Sequence, residues 1–423
     1  VWQGLGGDPR CLDRVTVTGP DHVLPSVFPV TAVATGATGP LWDPVAGVYA
    51  AADGWVRLHT NFRRHRTAAL KVLGLPVAGP ESDALGREDV APAVARWSAI
   101  RLEEAVHRDG GCAAVLRSAA QWRATPQARA LAARPRVALL PLGGEDGEVV
   151  RGPAATAGVG PERPMSGLRV LDLTRVIAGP VAGRFLAAHG AEVLRVDGPD
   201  AEDSPTLVLD TTVGKRSAVL DLQDDADRAR LDRLVAGADV VLSGYRPGAL
   251  DGLGYGPEAL AKRRPGIVVG ELSAYGGVGP WGQRRGFDSL VQMVSGIADE
   301  GRRAAGVDLP RPLPVQLLDH ATGYLLAAGV LAGLTRRRAA GRGGGWLVQT
   351  SLARTAGWLD GLPRTGRADV DDGARELPSD LAVDLHGPFG PSRHVACPGR
   401  LAGAIPTWPT GPVPLGHDDP AWL

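Results

Sequence analysis

The sequence predicts an α/β fold, a large domain built on a mostly parallel sheet joined to a smaller α+β domain. Three observations carry this. Residues 168–197 read LRVLDLTRVIAGPVAGRFLAAHGAEVLRVD: an apolar run, a turn, a helical pattern and a second apolar run. Apolar runs and helical patterns then alternate to residue 359, as a sheet with crossover helices requires. Residues 42–146 instead set two short strand patterns beside several short helical ones.

In chain order, residues 1–41 are irregular, punctuated by Pro20, Pro25, Pro29 and Pro40. Within 42–146, residues 48–60 read as two strands around the turn Asp53-Gly54. Helical patterns follow at 64–73, 91–100, 102–108 and 127–133. Residues 147–166, rich in Gly, Pro and Ala, read as a linker. The region 167–359 opens with a strand at 168–173. A turn at 174–180 and helical spacing at 181–189 follow, with Gly190 in the position of a C-cap glycine. A second strand, 191–196, ends at Asp197. This is a βαβ unit, which binds ligands at the carboxyl ends of its strands. Its turn lacks G-x-G-x-x-G, so a dinucleotide is not the obvious ligand. Residues 360–423 have many Pro and Gly and little periodicity, and are expected to be extended or partly disordered.

With 423 residues the chain can bury a large core in two or three domains. Lys+Arg and Asp+Glu both number 46, so no basic excess points to nucleic acid. The three cysteines, Cys11, Cys112 and Cys397, are widely spaced, which argues against a disulfide framework or zinc site and for a reducing, cytoplasmic setting. No apolar run reaches about 18 residues, so no membrane span is expected. Val1 opens no secretory signal pattern. H-E-x-x-H, C-x-x-C, G-x-S-x-G and the Walker lysine loop are absent, and no metal site is expected. His59 and His65, without a nearby carboxylate, read as surface or packing histidines. GLGYGPEAL at 252–260 mimics a dinucleotide loop but follows no strand, and reads as a linker that starts a helix. Asp319 ends the apolar run 315–318 and precedes the helical pattern 321–334. From the residues alone it reads as a helix N-cap, a position that also stabilises a carboxylate and so leaves a chemical role open. Lys215 and Arg216 form a basic pair that suits either phosphate or solvent.

Eight blocks, in order, resemble the class III CoA-transferases, the CaiB/BaiF family. They are LDLTRVIAGP (171–180), GAEVLRVD (190–197), VGKRSAVLDL (213–222), ADVVLSGYRPGAL (238–250), LGYGPEAL (253–260), RGFDSLVQMVSG (285–296), PVQLLDHATGYLLAAGVLAGL (314–334) and GRGGGWLVQTSL (341–352). The resemblance implies a Rossmann-like large domain with a small domain, and a homodimer of interlocked chains. It implies transfer of CoA from an acyl-CoA to a carboxylic acid, with no cofactor beyond CoA itself as substrate. It assigns Asp319 as the nucleophile, acting through an aspartyl anhydride and an aspartyl-CoA thioester. It sets the backbone of Val176, Ile177 and Ala178 against the adenine end of CoA. Lys215 and Arg216 fall near its phosphates. Tyr245 and Arg246 match a CoA-binding loop in which Gly244 replaces the family's Asn. Phe287 stands where the racemase branch has a histidine, so the alternative, a 2-methylacyl-CoA racemase, lacks one of two bases. A non-catalytic CoA-binding subunit is a third reading, kept open by Gly244 and by the shortened N-terminal part.

YAAADGWVRL (49–58) resembles the family's small domain, which normally follows the large one. Here it precedes it. The order suggests a tandem arrangement, the tail of a degenerate first copy followed by a second copy with the reaction centre. LPSVFPVTAVATGATG (24–39) echoes LPVQLLDHATGYLLAAG (313–329), with Val30 opposite Asp319. A shared Ala/Gly/Thr-rich composition accounts for that echo equally well.

Overall fold

A computed structural model describes residues 15–16, 42–143, 162–339, 344–363, 382–401, 404 and 406–423. The N-terminal echo, most of the expected linker and residues 364–381 of the C-terminal segment lie outside the described residues.

The two apolar runs of 168–197 are adjacent parallel strands, Arg169–Leu173 and Glu192–Asp197, with Val170 level with Val193. Helix Ala178–Ala188 connects them, and Gly190 returns the chain at a φ of 110°, a conformation open to glycine. Both strands belong to a seven-stranded sheet ordered Ala138–Leu142, Gly345–Ser351, Val268–Ser273, Val240–Ser243, Arg169–Leu173, Glu192–Asp197, Arg216–Val219. Every neighbouring pair is parallel except the first, which is antiparallel. Counted along the chain from Arg169–Leu173, the parallel strands run 3-2-1-4-5-6 across the sheet, the doubly wound order. The order reverses between Arg169–Leu173 and Val240–Ser243, so a crevice opens at their carboxyl ends.

Alternate residues of each strand face opposite sides, and each side is covered by helices. Val170, Val240 and Val268 pack against Leu186 of Ala178–Ala188 and against Leu326, Val330 and Leu334 of Leu317–Ala339. Leu171, Leu194 and Val241 face the other way, against Leu231 and Leu234 of Asp225–Gly237 and Leu260 of Pro257–Arg263. Pro257–Arg263 begins within the sequence that mimics a dinucleotide loop. Helix Leu317–Ala339 is long and apolar enough to cross a membrane by length and composition, but it lies mostly buried in this core. Its approach to Ala178–Ala188 depends on Gly323, where a Cβ would stand 2.4 Å from the Ala178 carbonyl oxygen.

The region preceding this sheet forms a three-stranded antiparallel sheet, Gly47–Ala51, Gly54–Leu58 and Ala113–Val115. Helices Arg63–Leu73, Arg87–Val94 and Ala99–Arg108 cover it through Leu70, Val90 and Leu102. The single helix expected at 91–100 is two. The first starts earlier, where Asp89 accepts the Gly86 N–H at 2.8 Å, and ends at Val94. Ser98, in extended backbone, opens the second.

Two expectations are corrected. The boundary drawn at 146 does not separate two sheets, because Ala138–Leu142 hydrogen-bonds to Gly345–Ser351 in the large one. Cys112 and Ala114 also share a core with Leu290, Met293 and Leu318. The C-terminal residues, expected to be extended or partly disordered, carry a hairpin, Ala382–Gly387 with Gly390–Val395, and an anchored strap. In the strap, Trp408 Nε1 donates to the Arg184 carbonyl at 2.9 Å and Trp422 Nε1 to the Leu234 carbonyl at 3.0 Å. Ser217 N–H donates to Asp418 Oδ2, which protects the outer edge strand Arg216–Val219. Composition shows Pro and Gly but not these tertiary anchors.

Candidate active site

The site begins at the turn after Arg169–Leu173. Val176 has a φ of 69°, the only positive φ at a non-glycine among the described residues. A β-branched residue is strained there and persists only if its surroundings hold it. They do so from below. Asp172 accepts the Thr174 N–H at 3.0 Å and the Thr174 hydroxyl. Lys215 Nζ donates to Asp172 Oδ2 at 2.7 Å and to the Pro180 carbonyl at 2.9 Å.

This placement corrects the expected phosphate contacts. Lys215 is 1% exposed and its ammonium is consumed by the support of the turn. Burial pushes its pKa down, against the pull of Asp172. Arg216 sits on the outer strand and donates to the carbonyls of Ala421 and Asp419 in the C-terminal strap. That strand is two removed from the crevice, roughly 10 Å across the sheet. Neither residue lines the cleft that holds Asp319. Val176, Ile177, Ala178, Tyr245 and Arg246 do line it, drawn together by the two strand ends at the switch point.

The cleft has two chambers. One, about 140 Å³, is basic, with Arg64, Arg175, Arg246, Arg284 and Arg285 in its walls. Arg175 is engaged by Asp203 at 3.0 Å, and Arg284 lies 3.6 Å from Glu103. Arg64, Arg246 and Arg285 face no carboxylate in an ion pair among the described residues. Burial lowers the pKa of Arg285, and the nearby charges of Arg246 and Arg64 lower it further. Such a cluster is poised to receive an anion. The other chamber, about 510 Å³, is walled by Trp42, His59, Leu207, Asp203 and Asp288 among others. Phe62, Val176, Ile177, Phe287 and Asp319 border both.

Asp319 thus stands where the chambers meet. It lies in the first turn of Leu317–Ala339, which starts before it, so it is not the N-cap. The capping work falls to Asp288, whose Oδ2 accepts the Asp319 N–H at 3.0 Å and whose carboxylate also receives the Leu318 N–H. Asp319 is 7% exposed. Burial raises its pKa well above the usual carboxylate range, and the neighbouring Asp288 charge raises it further. Asp288 is itself pushed up to about 6 by burial. A carboxylate held in this way is a strong base and nucleophile once ionised.

His59 and His65 are packing histidines, one of the two expected alternatives, but both also line the cleft. His59 is buried, stacks on Phe287 at 3.7 Å between ring centroids and lines the larger chamber. Burial, then the charge of Arg57, drives its pKa well down. His65 lines the basic chamber, with its Nδ1 unpartnered and its pKa lowered by burial to about 3. The sequence reading also missed Arg64, Arg284, Arg285 and Asp288. The run HTNFRRH at 59–65, dense in ring and cationic side chains just after a strand, was the available signal. Among the described residues, no cluster of three or more His, Cys, Asp or Glu could hold a metal ion.

Residues 165–363 match the model of CoA-transferase family III. These residues belong to that family. A probable fatty acyl-CoA transferase of Mycobacterium tuberculosis is 38% identical over 190 residues, 42% of this chain and 48% of that protein. An acetyl-coenzyme A transferase of Hypoxylon pulicicidum is 30% identical over 335 residues, 74% of this chain and 54% of that protein. A solved CaiB/BaiF family structure from Brucella suis is 29% identical, covering 47% of this chain and 56% of that one with a TM-score of 0.43. The chain therefore spans about half the length of the curated relatives it matches. The family III match takes in the turn at Val176, the loop at Tyr245, Asp288 and Asp319, whereas Phe62, Arg64 and His65 come from chain before it.

Proposed function

We propose that this chain moves CoA from an acyl-CoA thioester to a carboxylic acid, with Asp319 as the covalent nucleophile. The observation that carries the proposal is the buried Asp319 carboxylate at the junction of a basic and a largely apolar chamber. The phosphates of CoA suit Arg64, Arg246 and Arg285, and its nucleotide passes Val176–Ala178 and Tyr245 at the switch point. The thioester then reaches Asp319 with its acyl group in the larger chamber.

An oxygen of Asp319 attacks the thioester carbonyl, the C–S bond breaks, and CoA thiolate leaves with the electron pair. The product is a mixed acyl–aspartyl anhydride. The thiolate attacks the aspartyl carbonyl and expels the acyl group as a free carboxylate, leaving an aspartyl-CoA thioester. An incoming carboxylate attacks that thioester and forms a second anhydride. The released thiolate then attacks its acyl carbonyl, giving the new acyl-CoA and restoring Asp319. Each difficult displacement is divided into easier steps. CoA enters as substrate, and the scheme needs no further cofactor.

The match to the fungal relative extends well beyond residues 165–363. This supports reading the preceding region as the end part of a first copy in a tandem chain.

Asp319→Asn keeps the side-chain size and should fold. Transfer is expected to fall by several orders of magnitude, and hydroxylamine added with acyl-CoA should modify Asp319 in the wild type alone. Full transfer by Asp319→Asn, or labelling of another carboxylate, would overturn the proposal.

A further inference from the structure

The charge of the larger chamber bears on which acyl group it takes, an inference that rests on the proposed transfer reaction. Among the described residues no Lys or Arg lines this chamber, while Asp43, Glu202, Asp203 and Asp288 do. Two of these carboxylates are neutralised, Asp43 by Arg66 at 2.9 Å and Asp203 by Arg175 at 3.0 Å. Glu202 Oε2 accepts the Arg63 backbone N–H at 2.9 Å, and its ion pair with the exposed Arg63 side chain, at 3.8 Å, is weak. Asp288 is hydrogen-bonded by Gln292 and by backbone N–H groups and sits in no ion pair among the described residues, although the charge of Arg57 acts on it from nearby. Much of the remaining wall is apolar, with Trp42, Phe62, Ile177, Leu207 and Phe287. Arg57 already lies over the Trp42 ring at 4.8 Å, so that ring is engaged by a cation from within the protein.

We propose that the larger chamber takes acyl groups of monocarboxylic acids with uncharged, mainly apolar chains, and rejects dicarboxylic acyl groups. A second carboxylate would enter beside the exposed Glu202 and the buried Asp288, with no Lys or Arg in the chamber wall to meet it. Like charges repel, strongly beside the buried Asp288 and more weakly beside the exposed Glu202, and this is discrimination by an unfavourable contact. An apolar chain instead displaces water from the aromatic wall. The chamber, about 510 Å³, falls within the roughly 300–1,000 Å³ of small-molecule sites, so it has room for more than an acetyl group.

The test uses the full chain carrying Asp319→Asn, so that binding is read without turnover. Affinities for hexanoyl-CoA, adipoyl-CoA and free CoA are measured by calorimetry near neutral pH. The two thioesters have the same chain length and differ by one carboxylate. Hexanoyl-CoA is expected to bind roughly tenfold tighter or more. Adding Glu202→Gln is expected to narrow that gap roughly threefold, the scale of one partly exposed charge. Equal affinities, tighter binding of adipoyl-CoA, or a gap that Glu202→Gln does not move would overturn the inference while leaving the transfer reaction standing. Failure of free CoA to bind at all would bring down the transfer reaction, and this inference with it.

Discussion

The backbone N–H of Asp319 donates to Oδ2 of Asp288 at 3.0 Å, so one carboxylate caps the helix on which the other rides. The arrangement frees the Asp319 side chain from capping and points it to chemistry. It also sets two buried acids side by side, each disfavouring the charge of the other. Their protons therefore belong to the pair.

The rate should report this pair. As Asp319 must be ionised to attack, kcat/KM is expected to rise with pH along a limb lying above the usual carboxylate range. Asp288→Asn retains an acceptor for the helix N–H and removes the like charge. The limb should then move to lower pH, by roughly one unit if the charge coupling is worth about 1.4 kcal/mol. A pH–rate profile that Asp288→Asn leaves in place would rule out this coupling.

Stability should carry the opposite signature. Asp288 titrates near 6 in the folded protein and near 4 in an unfolded chain. Between those values the folded state binds more protons, so stability falls as pH rises through the window. Asp319→Asn removes one of the repelling charges. It is expected to raise Tm at neutral pH by about 2–4 °C, the shift that about 1 kcal/mol gives in a domain of roughly 200 residues. The gain should vanish near pH 4, where both acids are protonated in the folded state and no charge is left to repel. Thermal scans at the two pH values check both halves of the expectation.

Lys215 should behave as a structural residue. Lys215→Met leaves the Asp172 carboxylate buried without its cation and is expected to cost about 3–5 kcal/mol. Adding Asp172→Asn should restore part of the loss, because the stranded charge is gone. Denaturant titration of the two variants decides, and a loss under about 1 kcal/mol in Lys215→Met would argue against the support role.

Binding of CoA should instead depend on the basic chamber. Arg246→Gln with Arg285→Gln is expected to weaken CoA by about 1–3 kcal/mol for each charged hydrogen bond lost. The wild-type affinity should fall with added salt and the double variant's should fall less. Calorimetry over a salt series would expose a wrong assignment as unchanged affinity.

Local patterning made much of this molecule legible. The βαβ unit is contiguous, and its apolar runs, turn and C-cap position all lie within 168–197. Asp319 was singled out as a candidate by the family blocks around it, although the helix starts two residues before it, at Leu317, and not after it as the apolar pattern suggested. The basic chamber was not legible. Arg64 and Arg285 lie far apart in the chain, and only folding of the N-terminal region over the crevice brings them together. The adjacent pair Lys215-Arg216 was conspicuous in sequence for its charge, yet both charges are taken by protein partners. The strap at 406–423 escaped notice because single tryptophan hydrogen bonds leave no periodic trace.

The strand Ala138–Leu142 has a consequence for how this protein can be divided. The family match begins at residue 165, but the hydrogen-bonded sheet takes in Ala138–Leu142 upstream of that point. A fragment cut at the start of the family match would lack its outermost strand and bare the edge of Gly345–Ser351, including Trp346 and Leu347. An uncovered apolar edge of this kind invites neighbouring molecules to pair with it. The stretch matched by the family model and the sheet it helps to build are thus different lengths of chain. Any transplant of this candidate site into another protein has to carry Ala138–Leu142 along with it.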